Sequence, residues 1–222
     1  MESHGSQYIR MKQSQIIAEN DKIFQIMDDY GLGFTGIDQY MRSKGYRFLA
    51  HGAMQATYKL PNADHVIKIF VGETGCSPTR PKMDPRQRLI KYYYDFCKNN
   101  QDIPFLPKMF EYQTFVWPIN YTDYCLNLQI RMEALLELNN EEIVFYSRLV
   151  SYTGVYDFDS FIDEMSEDFP RLVNQYRRLK QFYNTVIVLN NLSRKYGFRF
   201  DLHPQNIMKR KNGTPVIVDP WA

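Results

Sequence analysis

The sequence predicts an α+β protein on three observations. Apolar residues recur at helical spacing towards both ends of the chain, and a block of period-two β-formers lies between them. An Asn-Gly turn then closes a short hairpin near the C-terminus. Over residues 8–30, Ile16, Ile17, Ile23, Phe24, Met27 and Tyr30 share one helical face, and Gly31 and Gly33 end that helix. A shorter helix is expected over 37–43, stopped at Gly45. Residues 46–50, 55–60 and 65–71 read as three strands, the last two joined by a turn at Pro61-Asn62-Ala63-Asp64. Residues 72–85 read as a loop. Pro85 suits the first turn of a helix reaching Asn99, with Leu89, Ile90, Tyr93 and Phe96 or Cys97 inward.

Two more strands are expected over 109–117 and 126–132, then helices over 141–151 and 157–165. The clearest helix covers 169–196, where Leu172, Tyr176, Leu179, Tyr183, Val186 and Leu189 form one stripe and Gly197 is the stop. The closing hairpin joins 206–209 to 215–218 through Lys211-Asn212-Gly213. Helices, an interrupted sheet, more helices and a hairpin make an α+β order, with a lobe boundary near Glu133.

With 222 residues and 44% hydrophobic composition the chain can bury a sizeable core. A net charge of +2 gives no reason to expect nucleic acid or a membrane surface as partner. Cys76, Cys97 and Cys125 are odd in number and lack CxxC spacing, so they read as free thiols in a reducing compartment. No apolar run is long enough for a membrane span, and Met1–Ser6 lacks a signal-peptide core. The expectation is a soluble cytoplasmic protein.

The chemistry concentrates near the C-terminus. Asp201-Leu202-His203-Pro204-Gln205-Asn206 has the D-x-x-x-x-N spacing of a phosphoryl-transfer loop, and the hairpin that Asn206 opens is closed by Asp219. Such chemistry needs a lysine on the nucleotide phosphates, acid and amide oxygens on Mg²⁺, and a carboxylate near the attacking hydroxyl. Asp and Asn in a loop are more often turn formers. That plain reading weakens here because Asp219 ends the apolar run Val216-Ile217-Val218, a costly place for an unpartnered charge. The acidic set Asp157, Asp159, Asp163, Glu164, Glu167 and Asp168 matches no EF-hand loop and reads as a solvated helix face.

Arg199–Met208, with Val216-Ile217-Val218-Asp219-Pro220, resembles the corresponding segments of the protein-kinase-like superfamily. The His two residues after the Asp is the variant of aminoglycoside and choline kinases and of some phage kinases. The chain is most similar to the serine/threonine protein kinases of short-tailed, T-seven-like bacteriophages. These share a Phe-Asp-x-His-x-x-Asn-Ile-Met run, an Asn-Gly-type hairpin, and Asp-Pro in place of Asp-Phe-Gly. Phe48–Ala53 and Asp64–Ile69 carry a further likeness, which is strong over about the last 25 residues and fair over 46–71.

The resemblance implies a bilobal kinase-like fold, with a helical extension over 1–45, a first lobe over 46–132 and a minimal helical second lobe over 133–222. It implies ATP and Mg²⁺ as cofactors and host proteins as substrates, in the host bacterial cytoplasm. Asp201 would be the base and His203 would face substrate or phosphate, a structural role for His203 being the alternative. Asn206 and Asp219 would hold the metal. Lys68 would contact the α- and β-phosphates, against the commoner fate of a solvent-facing strand lysine. Gly52 would lie in the phosphate-covering loop, where a plain hairpin turn explains it equally well. Met132, Glu133 and Ala134 would offer backbone groups to adenine.

Three departures stand out. Kinases pair the strand lysine with a Glu on the next helix, yet residues 86–99 contain none. Asp95, Glu73 and Glu111 are the remaining candidates. Asp219 is followed only by Pro220-Trp221-Ala222, so an activation segment is absent from this sequence, naturally or by truncation. Three functions therefore compete: a phage-type Ser/Thr protein kinase, a small-molecule kinase, and a kinase-like protein that binds a host factor without catalysis.

Overall fold

The computed structural model describes residues 33–51, 55–72, 83–118, 124–153 and 157–221. The expected helix over 8–30, Gly52, Glu73 and Cys76 lie outside these residues. The chain is an α+β protein of two compact units. The first holds residues up to Gln87 with Glu111–Met132, and the second holds Arg88–Phe110 with the chain from Glu133 onward. Residues 88–110, which the sequence reading gave to the first lobe, group with the second unit.

In the first unit, helix α1 (Gly33–Ser43) starts four residues earlier than its apolar stripe suggested and ends at Gly45, whose φ is 84°. Gly33, read as a terminator, is instead the first helical residue. Strands β1 (Arg47–His51), β2 (Gln55–Lys59) and β3 (His65–Val71) form an antiparallel meander. The β2–β3 turn has Asn62 at φ 63°, a left-handed position that Asn tolerates. With β4 (Met109–Pro118) and β5 (Tyr124–Glu133) they complete a sheet of order β1-β2-β3-β5-β4. One face packs on α1, where Ile37, Met41, Tyr58, Ile67, Ile69 and Trp117 form the core. Gly72 follows β3 in close quarters, because a Cβ there would collide with the Leu126 carbonyl oxygen and the Gln87 amide.

In the second unit lies most of helix α2 (Pro85–Asn99), which begins where Pro85 predicted. Asp84 caps it, accepting from the Gln87 N–H at 2.8 Å. Its buried residues are Gln87, Tyr93, Tyr94 and Cys97, whereas Leu89, Ile90 and Phe96 are half-buried. Burial pushes the Cys97 thiol up to about 12, and Cys125 is buried as well. Helix α3 (Asn140–Tyr152) opens on a capping box between Asn139 and Glu142, and α4 (Phe158–Met165) on an Asp157 cap.

The expected helix over 169–196 is broken. Helix α5 (Pro170–Val173) ends at Asn174, and α6 (Tyr176–Tyr196) starts afresh. The physical reason lies in Tyr176, which leaves the apolar stripe. It is 38% exposed, donates its hydroxyl to Asp159 and sets its ring edge-on against Phe158. From Leu179 to Leu189 the stripe is buried as expected, and Gly197 caps α6 at φ 72°. The unit closes with a 3₁₀ turn (Pro204–Asn206) and the hairpin β6 (Ile207–Lys209) and β7 (Pro215–Ile217), pairing Ile207 with Ile217 and Lys209 with Pro215. Gly213 at φ 79° makes the turn. No described helix is long and apolar enough to cross a membrane.

Candidate functional site

The loop 201–206 and the strand end 218–220 are tied into one cluster by backbone bonds. Asp201 N–H donates to the Pro220 carbonyl at 2.9 Å, and Val218 N–H donates to the Asn206 carbonyl at 2.9 Å. The side chains continue the pattern. Asn206 Nδ2 donates to the Asp201 carbonyl at 3.0 Å and lies 3.0 Å from His203 Nε2. With its NH₂ end used inside the loop, the Asn206 amide turns its Oδ1 away from these partners as an acceptor. The Val218 N–H bond sets Val218 opposite Asn206, so Asp219 lies one residue past that contact and two past the end of β7.

Asp201 keeps its carboxylate partly open, at 36% exposure, with the Arg199 guanidinium 3.7 Å from Oδ1. His203, Asn206 and Asp219 are also half-buried. Val216, Ile217 and Val218 are buried at 0, 0 and 8% exposure, so Asp219 follows a buried run as the sequence implied, although the strand itself stops at Ile217.

Helix α2 fixes the far side of this cluster. Tyr93, 5% exposed, donates its hydroxyl to the Ile217 carbonyl at 2.6 Å. Burial raises its pKa well above the usual phenol value, with the nearby Cys97 and Asp219 adding to the rise. Trp221 is buried among the rings of Tyr92, Tyr93, Phe96 and Phe198, and its Nε1 donates to the Leu189 carbonyl at 3.1 Å. An antiparallel bridge between Phe200 and Trp221 then anchors the entry to the loop. The sequence reading marks Tyr93 only as an inward residue of its helix, and it does not mark Trp221 at all. Trp221, one residue past Asp-Pro, was the signal that an anchor follows the acidic residue.

The other expected site residues have individual fates. Lys68 is half-buried on β3, opposite Thr57 of β2. Of the acids considered for it, Asp95 pairs with Lys91 at 2.5 Å and Glu111 with Arg131 at 3.2 Å. Met132 is buried, and Ala134 is half-buried. Glu133 has work of its own. Its N–H donates to the Lys108 carbonyl, and its carboxylate takes both Arg210 Nε (2.9 Å) and Nη2 (2.5 Å). Arg210 also donates to the carbonyls of Pro104 and Leu106. Beside it, Lys209 pairs with Glu142 at 2.5 Å. These two pairs brace the hairpin that carries Asn206.

Asn206 Oδ1 and the Asp219 carboxylate are hard oxygen donors that suit Mg²⁺, which takes one or two protein oxygens and keeps waters and phosphates for the rest. Among the described residues no three His, Cys, Asp or Glu side chains gather, and such a Mg²⁺ site needs none. The acidic set on and around α4 behaves as a solvated surface: Asp157 caps, Asp159 meets Tyr176 and Lys180, and Asp168, beyond the helix, pairs with Arg148. Fold and cluster together define a two-unit α+β protein with a braced, oxygen-bearing loop and hairpin. No protein-family model matches the chain, and no curated protein does.

Proposed function

We propose that this protein is a Mg²⁺-dependent ATP phosphotransferase of the protein-kinase type, phosphorylating Ser or Thr of host proteins in a phage-infected bacterial cytoplasm. The observation that carries the reading is the cluster itself. Asp201, Asn206 and Asp219 sit on two segments joined by backbone bonds, with the Asn206 amide locked against Asp201 and His203. That is preorganisation of oxygen ligands and a base, which is most of what phosphoryl transfer asks of a protein.

In this reading the Asp201 carboxylate orients the acceptor hydroxyl and takes its proton. Asn206 and Asp219 would hold Mg²⁺, which when bound neutralises charge on the phosphates. Lys68 is the cation that the kinase resemblance assigns to the α- and β-phosphates. Transfer of the labelled γ-phosphate of ATP to lysate proteins tests this. Asp201→Ala is expected to lose about 10²–10⁴-fold in rate, and Asp219→Ala to abolish Mg²⁺-supported transfer. Unchanged transfer in both variants sinks the proposal.

One observation favours a second reading, a kinase-like binder without catalysis. The Glu133 N–H and carboxylate are already committed to Lys108 and Arg210, so Glu133 offers adenine no free N–H. Thermal unfolding with and without Mg-ATP separates the two readings, since a ligand of the folded state raises the transition by mass action. The kinase reading requires a rise.

A further inference from the structure

Resting on the kinase reading, we infer that the acceptor is a Ser or Thr flanked by Asp or Glu side chains, and that Arg199 is the residue that selects it. Phe200 forms an antiparallel bridge to Trp221, so the chain around it is extended. In an extended segment residues two apart share a face. Arg199 and Asp201 therefore look the same way, as their 3.7 Å contact shows. The flank of an acceptor whose hydroxyl reaches Asp201 must pass Arg199.

The guanidinium is open to meet it, at 78% exposure. Its contact with Asp201 is a single long pair at the surface, of a kind worth little. It is not what holds the loop, because the Asp201 backbone is bonded to Pro220 and to the Asn206 amide. Most of the five-donor fork faces solvent, and a carboxylate offers it a bidentate partner that Asp201 does not.

The surrounding charge points the same way. Arg194 and Lys195, exposed in the last turn of α6, have no carboxylate partner among the described residues. Lys209 and Arg210 of the hairpin are neutralised by Glu142 and Glu133, and the remaining hairpin cation, Lys211, is exposed at the turn. The segment leading into Asp201 carries Arg194, Lys195 and Arg199, with only the long Arg199–Asp201 pair set against them. A basic acceptor flank would meet like charge there, which is how a site rejects the wrong partner.

The test uses the full chain with Mg-ATP and three serine peptides whose flanks are Glu/Asp, neutral or Lys/Arg. Wild type is expected to favour the acidic peptide over the basic one by about tenfold in kcat/KM, the preference shrinking as salt rises. Arg199→Glu should reverse the order of the acidic and basic peptides, and Lys211→Glu, at the hairpin turn, should leave the wild-type order intact. Equal use of the three peptides by wild type overturns the inference. So does an Arg199→Glu loss that is the same for all three, since Arg199 would then act only on Asp201. Tight binding of single-stranded RNA with no peptide preference also overturns it. Transfer without charge preference leaves the kinase reading standing, whereas no transfer to any peptide or lysate protein removes both.

Discussion

Two buried tyrosines, one in each unit, show how differently the two halves of the chain treat polar groups. Tyr58 lies fully buried in the core of the first unit, and its hydroxyl makes no well-formed hydrogen bond. Burial, with the Asp38 carboxylate nearby, raises its pKa. Asp38 Oδ1, Gln55 Oε1 and Trp117 Nε1 are likewise buried without a well-formed hydrogen bond among the described residues. Tyr93 is as deeply placed in the second unit, but its hydroxyl is spent on the Ile217 carbonyl. In the same unit Trp221, Arg210, Lys209 and Asn206 each reach a named acceptor. The first unit is held chiefly by apolar packing, which tolerates loose polar ends. The second is held in addition by directional bonds, and these converge on the loop and hairpin where geometry matters most.

The largest break in that contrast should come from Arg210→Ala. It strips Glu133 of its bidentate partner at a site where the two side chains are only 19 and 13% exposed. Removing one member of such a buried pair costs about 3–5 kcal/mol. Urea unfolding should show this as a lower midpoint with unchanged slope, and a loss below about 1 kcal/mol would mean the brace is solvated after all.

Tyr93→Phe comes next. It leaves the Ile217 carbonyl buried without its donor, at a cost of about 1–3 kcal/mol. Because Ile217 is two residues before Asp219, the Mg²⁺ concentration for half-maximal transfer should also rise, with the rate recovered at saturating Mg²⁺. A stability loss with no change in Mg²⁺ requirement would confine Tyr93 to packing. Tyr58→Phe sharpens the pair from the other side. With no well-formed bond to lose, it should be neutral or stabilising by up to about 1 kcal/mol, read from the same unfolding curves. A loss like that of Tyr93→Phe would erase the contrast.

Local signals reached the ends of elements and stopped at long-range contacts. Pro85 and Asn99 bound α2, His65 and Val71 bound β3, and Gly197 caps α6, each as its residue type dictates. The break at Asn174 was hidden because neither Gly nor Pro marks it, and only the Tyr176–Asp159 contact explains why the stripe shifts. In the candidate site, the Asp201–Asn206 spacing and the closing hairpin were legible because they are local. Tyr93 was not, since its partner lies 124 residues away. Glu133 was read by its place after a strand, whereas its role comes from Arg210, 77 residues on.

The smallest expected effect sets one exposed carboxylate of each unit against the other in acid. The Asp64 carboxyl is held below its usual range first by the His65 ring, and that of Asp157 first by the Ser160 hydroxyl it accepts from. In both the folded pKa is depressed, so the stabilisation is fully present above the ordinary Asp value near 3.9 and fades as pH falls through the folded value. Asp157 also receives the Ser160 N–H at 3.0 Å and so caps α4, whereas Asp64 sits 96% exposed in a turn. Asp157→Asn should therefore blunt the acid side of the stability profile and loosen α4 in hydrogen exchange. Asp64→Asn should leave exchange untouched and shift the acid limb less. Equal shifts from both variants would show that the cap adds nothing beyond the charge, and the directional bonding that distinguishes the second unit would not extend to its helix ends.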